Sequence, residues 1–275
     1  MVPEFVNEPL SNFTQEANRA AMHRALALVE GERDKTYPLV IGGKRVETGA
    51  WIESTNPARK GELVGRVARA GRAQAEQALD AAECAFAEWS RFPAEERARV
   101  LLRVASRLRR RKFELAATMI LEIGKTWVEA DADIAEAIDF CEFYARDMLR
   151  LAGPNPVTLL NGAENELVYE PLGVGVAIPP WNFPGAIATG LVVSALVAGN
   201  AVIFKPASLT PIIAAKVFEC LEDAGVPAGV VNYLPGPGDE VGDFLVASPR
   251  VRFVSFTGSK DVGVRIWEEA AKVRP

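Results

Sequence analysis

Cysteine is scarce in this sequence. Cys84, Cys141 and Cys220 are spread over 275 residues, an odd and widely spaced set that excludes a disulfide framework and lacks the close spacing of a zinc site. A reducing cytoplasm and no structural metal are therefore expected. Positive charge is not in excess either: 31 Lys and Arg against 36 Asp and Glu leave a net charge of -5. Such a chain has no global field to draw in nucleic acid or an anionic membrane, so a small-molecule partner is expected instead. The opening MVPEFVNEPL lacks a basic segment followed by an apolar one, which disfavours secretion through a signal peptide.

Charge is missing altogether from Pro171 to Phe204, a run longer than the roughly 20 apolar residues that cross a bilayer. Pro179, Pro180, Asn182 and Pro184 interrupt it, and prolines at that depth would break a spanning helix. A buried strand, a turn, a buried helix and a second buried strand fit the run better. With 49% hydrophobic and 24% charged residues, the chain has enough apolar material for one large core or two modest ones.

Along the first half the pattern is helical from Thr14 to Glu30, then extended over Tyr37–Val46, Trp51–Ser54 and Leu63–Ala68. Amphipathic helix follows over Arg72–Trp89, Ala94–Gly124 and Trp127–Leu151. The basic run Arg107, Arg109, Arg110, Arg111 and Lys112 is surrounded by Glu95, Glu96, Glu114 and Glu122 on the same helical stretch and reads as a solvated helix face. After a break at Gly153–Pro156, Val157–Leu160 and Leu167–Tyr169 suggest a projecting hairpin that serves assembly. From Pro171 onward four short β-rich runs, Val174–Ile178, Ala201–Phe204, Val230–Leu234 and Arg252–Phe256, alternate with helical stretches. That alternation predicts an α/β fold built on a doubly wound parallel sheet, with ligands at the carboxyl ends of its strands. The expected division is 1–152 as a helical and strand region contributing to the nucleotide-binding domain, 153–170 as the assembly hairpin, and 171–275 as the α/β nucleotide-binding domain.

Each of these runs ends in an unusual turn. The first enters PPWNFP (Pro179 to Pro184), which holds the Asn182 amide at a strand end, as a helix cap or as a functional donor. The second ends in Lys205, Pro206, Ala207 and Ser208, placing an ammonium where it can donate to hydroxyls or phosphate. The third leads into Gly236, Gly238 and Gly242, spaced G-x-G-x-x-x-G rather than as the ordinary dinucleotide fingerprint, and serves a phosphate or close packing. The fourth ends in Phe256, Thr257, Gly258 and Ser259, whose hydroxyl is a helix cap or a pyrophosphate donor.

Taken in order, PPWNFP, GNAVIFKPAS (Gly199 to Ser208), LPGPGDEVG (Leu234 to Gly242) and FTGS (Phe256 to Ser259) resemble the aldehyde dehydrogenase superfamily. IGGKRVETG, STNPA and LEIGKTWVEA extend the likeness over nearly the whole chain. The opening NEPLSNF, the segment around RRRKFELAATMILEIGKTWVEADADIAEAIDF and the ending SPRVRFVSFTGSKDVG resemble its 1-pyrroline-5-carboxylate dehydrogenase subgroup, which oxidises L-glutamate γ-semialdehyde to glutamate in proline breakdown. The resemblance implies that Asn182 stabilises the oxyanion formed when a cysteine thiolate attacks the aldehyde. It implies a cofactor, NAD, held by Ile178, Pro179, Pro180, Trp181, Lys205, Ser208, Gly238, Gly242, Phe256, Gly258, Ser259 and Val262. Most relatives that prefer NAD carry a glutamate where this chain has Ser208, so NADP is expected as a second cofactor. Phe183 and Glu136 are similar to residues lining the aldehyde pocket, although Glu136 also reads as a solvated helix glutamate.

One departure qualifies the resemblance. The family's nucleophilic cysteine and its general-base glutamate lie downstream of the FTGS turn, beyond Pro275, and none of the three cysteines stands in the matching context. The expectation is an inactive N-terminal portion without its catalytic domain, from an enzyme that is a homo-oligomer when complete. A dehydrogenase for another aldehyde, or a non-catalytic nucleotide-binding or assembly module, are the alternatives. Continuation of the reading frame into an E-x-G-G segment and a cysteine would decide for an enzyme.

Overall fold

The computed structural model describes residues 3–158 and 161–273. The first helix, α1 (Glu16–Gly31), is followed by five short strands, β1 (Thr36–Tyr37), β2 (Leu39–Ile41), β3 (Lys44–Val46), β4 (Trp51–Thr55) and β5 (Leu63–Ala68). Four helices come next: α2 (Arg72–Trp89), α3 (Ala94–Arg110), α4 (Lys112–Ile123) and α5 (Trp127–Leu151). The remainder alternates as β6 (Val174–Ile178), α6 (Ala186–Val197), β7 (Ala201–Phe204), α7 (Pro211–Asp223) and β8 (Val231–Tyr233), then a π-helical turn (Gly238–Gly242) running into α8 (Asp243–Val246), β9 (Phe253–Phe256) and α9 (Lys260–Val273).

Six strands form the main sheet in the order β3-β2-β8-β7-β6-β9. The four late strands are parallel, with Ala177 opposite Phe204 and Ile178 opposite Phe256, while β2 and β3 add an antiparallel margin from the N-terminal region. A smaller sheet, β1-β5-β4, stands apart. Side-chain alternation sends Val174, Val176, Ala201 and Ile203 toward the core shared with Ala75, Ala78, Leu79 and Ala82 of α2. Ala177, Val202 and Phe204 face the opposite way, into the core built by α3, α5, α6 and α7. Both faces are covered, which is why these strands read as uninterrupted apolar runs. Gly175 is the exception in size: a Cβ there would lie 2.1 Å from the Phe253 ring of β9.

Two elements differ from the sequence reading. The span Ala94–Gly124 is two helices, separated at Arg111 (φ -99°, ψ 12°), where no Gly or Pro marks the break. There Arg111 pairs with Glu114 and Glu219, while Lys112 turns to the buried Asp131. The hairpin expected over Val157–Leu160 and Leu167–Tyr169 is not a strand ladder in the described residues, and Leu159 and Leu160 lie outside them. Its two limbs are tied by side chains instead, Asn155 Nδ2 donating to the Leu167 carbonyl (3.1 Å) and Asn165 Nδ2 to the Thr158 carbonyl (2.7 Å). Leu167, Val168 and Tyr169 are exposed, and an isolated two-stranded ribbon with no apolar face to pack is marginal.

A buried carboxylate ties the layers together. Glu122 accepts from the Ile212 and Ile213 amides and from Ser54 Oγ, capping α7 from α4 and β4 at once. Burial pushes its carboxyl up to about 7. Among the described residues no helix is long and apolar enough to cross a membrane.

Candidate functional site

The carboxyl ends of β6, β7, β8 and β9 open onto one cleft of about 750 Å³. The turn after β6 supplies Ile178, Pro179, Pro180, Trp181, Asn182 and Phe183; β7 supplies Lys205 and Ala207. The π-helical turn and α8 supply Gly238, Asp239, Gly242, Asp243 and Val246. The turn after β9 and the start of α9 supply Phe256, Thr257, Gly258, Ser259, Val262, Arg265 and Ile266. A parallel sheet delivers its strand ends to one edge, so residues eighty positions apart in sequence meet there.

Lys205 is the buried charge of this cleft. Its residue is 5% exposed, and among the described residues the ammonium donates only to the Pro206 carbonyl, at a long 3.4 Å. It forms no ion pair with a described residue, and burial lowers its pKa to about 8. Gly242 lies alongside, where a Cβ would be 3.5 Å from Lys205 Cε, and no atom is within 4 Å of a Cβ placed on Gly238. The backbone of this turn is thus open to close approach. At the opposite wall Ser259 Oγ accepts weakly from the Val262 amide (3.4 Å), so Ser259 caps α9 while its hydroxyl hydrogen remains able to donate.

Asn182 is exposed and its amide makes no hydrogen bond with a described residue. The helix that follows is capped by another group, Asp133 Oδ1 of α5, which accepts from the Ala186 amide. The capping role open to Asn182 in the sequence is therefore not the one it has. Phe183, next along, presents its ring to Lys125 Nζ at 4.1 Å.

Two expected residues stand outside this cleft. Ser208 is exposed on the loop leaving β7 and lines a neighbouring depression of about 290 Å³ with Ser54, Glu122 and Leu209, joined to the main cleft through Trp181. Glu136 is exposed on α5, three residues beyond Asp133; partial desolvation and then the Asp133 charge raise its carboxyl above the ordinary range. Sequence reasoning missed Lys125, Asp133 and Arg265. Arg265 pairs with Asp243 across the mouth of the cleft. The available signal for Asp133 was an acid at a core-facing helical position among Ala130, Ile134 and Ala137.

None of the three thiols enters the cleft: Cys84 is exposed on α2, whereas Cys141 and Cys220 are buried in the helical core. Burial pushes the Cys220 thiol up to about 11 and the Cys141 thiol higher still. No cluster able to hold a metal ion occurs among the described residues.

A doubly wound α/β sheet whose carboxyl edge gathers small-residue turns, a buried ammonium and a capped helix N-terminus places a ligand-sized cleft at its strand ends. Comparison with known proteins makes this specific: residues 18–274 match the aldehyde dehydrogenase family, and the chain belongs to that family. It is 57% identical over 275 residues to a 1-pyrroline-5-carboxylate dehydrogenase of Geobacillus kaustophilus (strain HTA426), covering all of this chain and 53% of that protein. It is 54% identical over the same length to 1-pyrroline-5-carboxylate dehydrogenase 2 of Bacillus subtilis (strain 168), again 53% of the relative. The crystal structure of 1-pyrroline-5-carboxylate dehydrogenase from Thermus with bound NAD superposes with a TM-score of 0.97 at 51% identity, over 100% of this chain and 53% of that one. The NAD-bound Δ-pyrroline-5-carboxylate dehydrogenase of Mycobacterium tuberculosis gives 0.92 at 32% identity, over 98% and 51%. The chain spans about half the length of the curated relatives it matches.

Proposed function

We propose that this chain is the cofactor-binding half of a cytoplasmic NAD-dependent dehydrogenase that oxidises L-glutamate γ-semialdehyde to glutamate. The observation that carries the reading is Lys205, a buried ammonium with one long hydrogen bond, facing a cleft at the carboxyl ends of parallel strands. Leaving a buried cation so poorly bonded costs stability, and a ligand with oxygen acceptors would offset that cost. The residues fit the adenosine and pyrophosphate half of the cofactor. Lys205 would donate to ribose hydroxyls, Ser259 and the start of α9 to the pyrophosphate, and Gly238 and Gly242 leave space for the backbone to approach it. When bound there, NAD supplies the hydride acceptor.

Asn182 would act on the substrate side. Its amide donates to the oxygen that gains negative charge as a thiolate adds to the aldehyde carbon, and a donor fixed in advance contributes there without reorganisation. Phe183 would give the aldehyde an apolar wall, and Glu136 would stand at its outer margin. Since no thiol of this chain lines the cleft, the nucleophile and the general base are assigned to the half that the relatives have in addition. The exposed Leu167, Val168, Tyr169 and Leu172 would serve a homo-oligomer.

The test joins this chain to the C-terminal half found in the relatives and measures NAD reduction with the semialdehyde. Turnover is expected in the joined chain and none above background in residues 1–275 alone. In the joined chain Asn182→Ala should lower kcat roughly 100-fold or more with cofactor affinity unchanged. Turnover by the 275-residue chain alone would refute the assignment of the nucleophile elsewhere.

A further inference from the structure

Asn182 has no hydrogen bond with a described residue to hold it, yet a pre-positioned donor must not wander. Whatever fixes it has to act through its neighbours in the turn. Four contacts converge there. Asp133 Oδ1 accepts from the Ala186 amide, anchoring the first turn of α6. The Phe183 carbonyl accepts from the Ile187 amide (3.1 Å), which makes the residue after Asn182 part of that same turn. Lys125 Nζ donates to Asp133 Oδ2 (2.5 Å) and lies 4.1 Å from the centroid of the Phe183 ring. One ammonium is thus held between a carboxylate and an aromatic face, and both partners belong to the support of Asn182.

The arrangement is rigid on each side. Lys125 sits in a short link whose ends are both fixed: Gly124 closes α4 in the left-handed region (φ 74°), and Thr126 opens α5 with a reciprocal capping box to Glu129. Asp133 is fully buried at its side chain and Lys125 is 10% exposed. Gly185 allows the approach, because a Cβ there would lie 2.8 Å from Asp133 Oδ1 and 2.7 Å from Ile134 Cδ1. A cation held over a ring face is attracted by the ring quadrupole, and a charge-assisted bond to a buried carboxylate is strongly directional.

We propose that Lys125 and Asp133 form a positioning pair that fixes the Phe183 ring and, through it and the first turn of α6, the amide of Asn182. This rests on the functional reading above only for the role of Asn182; the placement itself is a property of the present chain. Lys125 touches no reacting atom and is not a catalytic residue.

Two readouts separate placement from function. In the 275-residue chain, the side-chain amide resonances of Asn182, assigned by their loss in Asn182→Ala, should be a single sharp pair. Lys125→Met, which keeps the stem and removes the charge, should broaden or split them, and Lys125→Arg should restore them. Phe183→Leu, at an exposed side chain, should broaden them as well. In the chain joined to its C-terminal half, Lys125→Met should lower kcat roughly 10- to 100-fold with KM for NAD within about twofold, and Lys125→Arg should recover most of the loss. Unchanged Asn182 resonances in Lys125→Met and Phe183→Leu overturn the proposal, as does an unchanged kcat in an active joined chain. If the joined parent shows no turnover while the resonances respond as described, the functional reading fails and the positioning pair stands.

Discussion

Lys205 is the buried charge of the cleft, whereas Asp243 and Arg265 pair with each other at its mouth. Burial holds the Lys205 pKa at about 8, below the ordinary lysine value of 10.5, so the ammonium is present below pH 8 and is lost as pH rises past it. A ligand whose oxygens accept from that ammonium favours the charged form and raises the pKa on binding. Affinity for NAD should therefore be constant below about pH 7.5 and weaken as pH passes from 8 toward 10, as read by titration at fixed ionic strength. Lys205→Met should bind roughly 10-fold more weakly and lose this dependence. Ser208 lies on the same loop, four residues beyond the end of β7, but outside the main cleft. A neutral side chain there places no like charge near a 2′-phosphate. NADP is expected to bind measurably beside NAD, and Ser208→Glu to weaken NADP selectively. A parent protein with no detectable affinity for NADP would remove the electrostatic argument.

At the scale of elements, the pleat of β6 determines what the cleft can be. Val174 and Val176 serve one core and Ala177 the other, while Gly175 makes room for Phe253 so that β9 can pair beside it. Gly175→Ala forces the ring away or separates the strands, and overpacking of this kind costs roughly 1–3 kcal/mol. The expected result is a lower denaturation midpoint together with weaker nucleotide binding, because Phe256 to Ser259 enter the cleft from β9. A midpoint equal to the parent's would show that Phe253 moves freely. This layer was largely legible beforehand: uninterrupted apolar runs alternating with helical stretches gave strands and helices whose bounds agree with the structure to within a few residues. What was not legible came from partners distant in sequence. Arg111 interrupts a helix with no Gly or Pro to announce it, where ion pairs to Glu114 and Glu219 hold it. The segment around Leu167–Tyr169 has strand-like composition, yet composition cannot supply the surface that a ribbon needs to pack on.

For the molecule as a whole, strand-end turns fall together because a parallel sheet sends every carboxyl end to the same edge, and that rule made most of the cleft readable from sequence. The supporting residues escaped it. Lys125, in the link between α4 and α5, and Asp133 of α5 lie far upstream, and the packing of α5 against α6 brings them beneath Phe183. Ser208 followed Lys205 in the sequence reading but points to a neighbouring depression, since the loop turns away after Ala207. The function proposed for the molecule requires that this cleft take the adenosine half of a nicotinamide dinucleotide. Calorimetric titration of the 275-residue chain with NAD and with ADP tests it most directly. Saturable binding of one equivalent of each, with affinities within about fivefold, is the predicted result, because the contacts assigned to this chain end at the pyrophosphate. Absence of saturable binding by either ligand, or binding of both to Lys205→Met as tightly as to the parent, would contradict it.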